Sequence, residues 1–147
     1  MKKVLLAIAL VASGIGSVHA DGREMPITVD RLPKPAQEFL AAHFKDLTVA
    51  YAVEDRKFMG TEYEVVYTDR TEIDFRGDGE WESVGRKYSA VPAAIVPEPI
   101  QSFVAKSNFP GQFVRQIERN AYTWEIELSN GMEVKFDSRF NVIDIDD

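Results

Sequence analysis

The sequence predicts an α+β fold in which two tandem α-β-β-β-β repeats form one antiparallel sheet of about eight strands, with both helices packed on one face. Three observations predict it: a segment that recurs at a fixed offset, a helix-period stripe opening each copy, and a switch to period two after each stripe. Leu32-Pro33-Lys34-Pro35-Ala36-Gln37-Glu38-Phe39-Leu40 lies over Val96-Pro97-Glu98-Pro99-Ile100-Gln101-Ser102-Phe103-Val104 at an offset of 64. The offset persists through Val49, Val53 and Glu54 over Phe113, Ile117 and Glu118. It then falls to 61, with Tyr63, Val65 and Tyr67 over Trp124, Ile126 and Leu128, and Glu72-Ile73-Asp74-Phe75 over Glu133-Val134-Lys135-Phe136. The three missing residues fall between Asp55 and Thr61, where a hairpin turn is expected.

Leu32, Ala36, Phe39, Leu40 and His43 make one stripe of a helix, and Val96, Ile100, Phe103 and Val104 repeat it, with Ser107 in the place of His43. Pro33 and Pro35 fit only the first turn, whose N–H groups have no helical partner to lose. In the strands that follow, Val49, Tyr51 and Val53 alternate inward, then Tyr63, Val65 and Tyr67, then Ile73 and Phe75, then Trp81 and Val84. Asp78-Gly79 and Asn130-Gly131 supply tight hairpin turns. The repeats span residues 27–84 and 91–145, and the polar stretch from Gly85 to Val91 joins them.

The first twenty residues read as a signal peptide: Lys2-Lys3, an apolar run from Val4 to Val11, and Ser17-Val18-His19-Ala20 at the cleavage site. Export and cleavage after Ala20 leave a mature domain over 21–147, periplasmic or secreted, with no membrane contact after cleavage, since no later segment approaches the roughly 20 apolar residues a spanning helix needs. The whole chain carries 17 Lys+Arg against 24 Asp+Glu, a net charge of −7. The leader holds two lysines and no acid, so the mature chain has 15 cations against 24 anions, or −9. That balance argues against nucleic acid or an anionic membrane as a partner, because phosphate-rich surfaces are bound by clustered Lys and Arg. The absence of cysteine removes disulfides, thiolate metal sites, thiol catalysis and an N-terminal lipidated Cys. His43 is the one histidine outside the leader, so mechanisms and metal sites that need two imidazoles are excluded as well.

Leu-Pro opening a helix with Phe39 and Phe44, then Tyr63-Glu64-Val65, Glu72-Ile73-Asp74-Phe75 and Asp78-Gly79-Glu80-Trp81, resembles the PepSY-like family of exported bacterial proteins, whose domain is described as β-lactamase-inhibitor-like. The resemblance covers Ile27 to Ile145. Ser138-Arg139-Phe140-Asn141 departs from the family's Gly-x-Trp turn. The resemblance implies two helix-plus-four-strand units with their sheets joined edge to edge, no enzyme activity, and no catalytic or binding residues to carry over; no cofactor is expected.

Strand alternation sends Glu62, Glu64, Glu72, Asp74, Glu80 and Glu82 to the face away from the helices, joined by Glu118, Glu125, Glu127, Glu133 and Asp137. Three readings of that face stay open: a solvated side of an antiparallel sheet, a docking surface for a basic partner, and calcium binding by clustered carboxylates without a dedicated loop. Phe58-Met59-Gly60 falls in the insertion at the first hairpin tip, where large apolar side chains either meet a partner or tuck back onto the sheet. His43 reads as a packing residue, Asp78 and Glu80 as turn residues, Trp81 and Trp124 as core, and Asp144, Asp146 and Asp147 as a frayed terminus. The function expected is a non-enzymatic exported binding module, an inhibitor or regulator of another exported protein. Its candidate partner-binding residues are Phe58, Met59, Glu62, Glu64, Glu72 and Asp74, with no catalytic residue and no metal ligand. A periplasmic carrier or sensor of a small ligand or cation is the alternative.

Overall fold

The computed structural model describes residues 23–107 and 109–147; the expected signal peptide and cleavage site lie outside the described residues. Nine strands follow one another as a single antiparallel meander: β1 (Glu24–Ile27), β2 (Val49–Lys57), β3 (Gly60–Tyr67), β4 (Glu72–Arg76), β5 (Trp81–Gly85), β6 (Val114–Arg119), β7 (Thr123–Leu128), β8 (Glu133–Asp137) and β9 (Val142–Asp146). Helix α1 (Lys34–His43) precedes β2 and helix α2 (Glu98–Lys106) precedes β6. Each helix follows a short 3-10 turn, at Val29–Arg31 and Ala93–Ile95, and starts after a proline, Pro33 or Pro97.

Register places the core on one face. The cross-strand row Ile27, Ala52, Val65, Ile73, Val84, Ile117, Ile126, Val134 and Ile145 traverses all nine strands. Its seven central members, Ala52 to Val134, are buried. Both helices pack on this face. Phe39 of α1 meets Phe75 edge-on at 5.8 Å and stacks with Trp81 at 5.8 Å, and Phe103 of α2 meets Phe136 edge-on at 5.3 Å. Phe39 and Phe103 are themselves only partly buried, whereas Phe75 and Phe136 are closed off from solvent.

Some residues a fixed distance apart in the sequence have like settings. Gln37 donates its side-chain amide to the carbonyls of Leu32 and Asp30, and Gln101 donates to those of Val96 and Ala93. Left-handed backbone occurs at Arg70 and Gly131, and at Gly79 and Phe140, so each pair is separated by 61 positions.

Several expectations are corrected. The sheet has nine strands, because Glu24–Ile27 adds an edge strand beside β2. In β2 the inward residue is Ala52: a bulge between Val49 and Tyr51 reverses the alternation and sends Tyr51 and Val53 to the far face. A bulge also lies between Val114 and Gln116 in β6, so the inward residues Ala52 and Ile117 stand 65 positions apart, and the hairpin from Ala52 to Val65 is four residues longer than that from Ile117 to Ile126. Glu80 does not join the far face. It pairs with Arg119 at 3.1 Å, beside Trp81. Of the C-terminal aspartates, Asp144 and Asp146 are not frayed, since β9 pairs with β8 from Val142 to Asp146. Finally, Gly85 belongs to β5, and the Arg86 N–H donates to the Arg115 carbonyl, so the stretch between the halves starts as sheet.

Candidate functional site

The face away from the helices is built from two adjacent rows. One runs Val53, Glu64, Asp74, Ser83, Glu118, Glu125, Lys135 and Asp144. The next runs Tyr51, Val66, Glu72, Gly85, Gln116, Glu127, Glu133 and Asp146. Glu82, the unpaired residue of a bulge in β5, adds another carboxylate beside Ser83. Period two on strands with apolar inner residues gathers the acidic residues of β3, β4, β7 and β8 on this one face.

The charge is compensated unevenly. At the hairpin end Lys57 pairs with Glu62 and with Asp55 at 3.6 Å, and in the second half Arg115 pairs with Glu127. Among the described residues Glu64, Glu72, Asp74 and Glu82 make no ion pair. Burial, followed by the charges of Glu64, Glu72 and Glu62, pushes the Asp74 carboxyl up to about 7. Burial followed by Glu72 raises Glu64, burial followed by Glu62 raises Glu82, and the Tyr51 hydroxyl rises from burial and the charge of Glu64. These groups resist ionising together because carboxylates on neighbouring strands repel at short range in a poorly solvated setting.

The β2–β3 hairpin that supplies Glu62 and Glu64 ends in a two-residue turn between Lys57 and Gly60. Phe58 and Met59 occupy it, 95% and 91% exposed. Gly60 takes a φ of +129°, which a side chain disfavours, although a Cβ there would enter open space. The ring and the thioether therefore project from the tip and do not fold back. Four of the six candidate residues sit together on β3 and β4, with Glu64 directly opposite Asp74; Phe58 and Met59 lie at the far end of the same hairpin. Tyr51 and Val53 are members of this face that sequence alternation hides, because the bulge at Ala50 is invisible to a period-two reading.

The helix face carries an open cleft of about 510 Å³ between α1 and β7, lined by Phe39, His43, Trp81, Trp124, Glu80 and Arg119. The Arg119 guanidinium lies 4.0 Å over the Trp81 ring and donates to the Trp81 carbonyl at 2.8 Å. His43 ends α1 with its ring 4.9 Å from Phe39, a packing position. Among the described residues no group of three or more His, Cys, Asp or Glu side chains is arranged to hold a metal ion, and no helix is long and apolar enough to cross a membrane.

Comparison with known proteins gives the family. The profile described as "Putative beta-lactamase-inhibitor-like, PepSY-like" matches residues 61–144, which is β3 to β9. The chain belongs to the PepSY-like family. Three crystal structures are similar to this PepSY-like chain over most of its length. A "putative periplasmic protein" from Bacteroides vulgatus is 42% identical with a TM-score of 0.81, covering 90% of this chain and 100% of its own. A "putative calcium-regulated periplasmic protein" from Bacteroides thetaiotaomicron is 42% identical with a TM-score of 0.83, covering 87% and 99%. A further "putative periplasmic protein of unknown function" from Bacteroides vulgatus is 32% identical with a TM-score of 0.78, covering 84% and 99%. No curated protein matches the chain. The PepSY-like protein is periplasmic, as all three relatives are described to be.

Proposed function

We propose that this PepSY-like protein is a non-enzymatic binding module that engages a basic exported protein through its acidic sheet face and the β2–β3 hairpin tip, inhibiting or regulating that partner. The observation that carries the reading is the pairing of two features on adjoining strands: solvent-facing Phe58 and Met59 at the β2–β3 tip, and uncompensated carboxylates at Glu64 on β3 and at Glu72 and Asp74 on β4. Apolar anchors and complementary charge are the two ingredients of specific docking. A non-enzymatic role is supported by a chain without cysteine whose histidine outside the leader is stacked among rings. We also infer that residues 27–84 and 91–145 are tandem copies of one unit, which would account for the matched bulges, glutamine contacts and left-handed turns. Capture from a periplasmic extract tests the docking: Phe58→Ala/Met59→Ala bait should lose a protein that wild-type bait retains, and equal retention would overturn the reading.

Cation sensing is a second reading, favoured by the mutual repulsion at Asp74 and by the description of the Bacteroides thetaiotaomicron relative as calcium-regulated. Millimolar calcium that raises the unfolding midpoint of wild type, but not of Asp74→Asn, would support it over protein docking.

A further inference from the structure

The two edges of the sheet are finished differently. β1 is four residues long and carries Pro26, which has no N–H to offer a neighbouring strand. β9 has five residues and no proline, and Val142, Ile143 and Ile145 are 39%, 53% and 49% exposed. In the first half the positions matching Val142 and Ile145 are Trp81 and Val84, which pair with Phe75 and Ile73 as the former pair with Phe136 and Val134. Those two are 8% and 0% exposed. The difference is that β6 continues the sheet beyond β5. There Ile117 lies beside Val84 on the helix face, Glu118 lies beside Ser83 on the other, and Arg119 reaches back to the Trp81 carbonyl. Within this one chain, the β5–β6 seam displays how an edge of this pattern is continued by another strand.

We propose that β9 is a strand-addition edge that takes an extended segment of a second protein in which apolar and basic residues alternate. Charge selects this occupant. Asp144 and Asp146 lie opposite Lys135 and Glu133 on the face away from the helices, and Asp147 follows. A second copy of β9 would bring aspartates of both chains onto one face, and two chains of net charge −9 would have to meet, so self-pairing is opposed. A strand with apolar side chains beside Val142 and Ile145, and Lys or Arg beside Asp144 and Asp146, meets both faces. Main-chain hydrogen bonds would supply affinity and the alternating side chains the selectivity. The β2–β3 hairpin lies at the other end of the sheet, so this inference stands apart from the docking reading above.

The test titrates a short blocked peptide of alternating valine and lysine into the mature protein, followed by amide NMR and calorimetry. Perturbed amides should be confined to β8 and β9, with slowed hydrogen exchange along β9. Asp144→Lys/Asp146→Lys should weaken the lysine peptide by at least about tenfold and acquire affinity for the valine–glutamate counterpart; Asp144→Asn/Asp146→Asn should fall between. Perturbations centred on Glu64 and Asp74, or affinities within about twofold across the variants, would overturn the inference. So would β9 protection that grows with protein concentration in the absence of peptide, because the occupant would then be a second copy.

Discussion

Replacing Asp74 by Asn removes a charge that the fold holds at a cost. The carboxyl titrates near 3.8 in an unfolded chain and at about 7 in the folded protein, chiefly because it is buried and then because Glu64, Glu72 and Glu62 surround it. With the folded value above the unfolded one, the native state keeps a proton between those pH values that the unfolded chain has released. Stability from this group is therefore full below about pH 4 and is lost as pH rises through about 7. Three pKa units correspond to about 4 kcal/mol. Part of this is shared with Glu64, which also takes up protons more readily than usual, so the isosteric amide should gain about 2–4 kcal/mol at pH 8 and less than about 0.5 kcal/mol at pH 4. Urea unfolding followed by tryptophan fluorescence at the two pH values measures the difference. A variant whose advantage over wild type is the same at both would refute the claim that Asp74 stores electrostatic strain.

Three further outcomes follow from named contacts. Arg119→Ala should destabilise the protein by about 2–3 kcal/mol, as the guanidinium's hydrogen bond to the Trp81 carbonyl and its stacking on that ring are lost together; a cost below about 0.5 kcal/mol in denaturant titration would show that the seam between halves does not need it. Phe75→Ala should cost about 3–5 kcal/mol and Phe103→Ala clearly less, the first ring being closed off and the second partly open, and calorimetry that reversed this order would contradict the assigned faces. Arg70→Gly should stabilise the β3–β4 turn by about 0.5–1 kcal/mol, because φ is +66° there and a side chain resists that conformation; a fall in thermal midpoint would refute this.

What the sequence made legible follows from its strongest periodicities. The two helix stripes, the Asp78-Gly79 and Asn130-Gly131 turns, and the inward rows of β3, β4, β7 and β8 stand where alternation and turn chemistry place them. The rest was hidden for separate reasons. β1 is too short and too proline-bearing to show a period. The bulges at Ala50 and Arg115 insert a residue that no pattern marks, so the inward partner in β2 is small Ala52, flanked by the more conspicuous Tyr51 and Val53. Glu80 fits the alternation of β5 but precedes the strand, and Arg119, distant in sequence, draws it to the helix side. On the candidate face, the carboxylates of β3 and β4 could be grouped by parity, and the tip by its insertion. Which acids lack a cation could not, because Lys57 and Arg115 choose their partners in three dimensions.

The docking claim is tested most directly by association and dissociation rates of the captured partner at two ionic strengths, for wild type, Glu64→Lys/Glu72→Lys and Phe58→Ala/Met59→Ala. The charge reversal should slow association by about tenfold or more and flatten its salt dependence. The tip truncation should leave association nearly unchanged and speed dissociation by about tenfold or more. Rates for both variants that match wild type, with folding intact, would contradict the account and leave the acidic face a solvated side of the sheet.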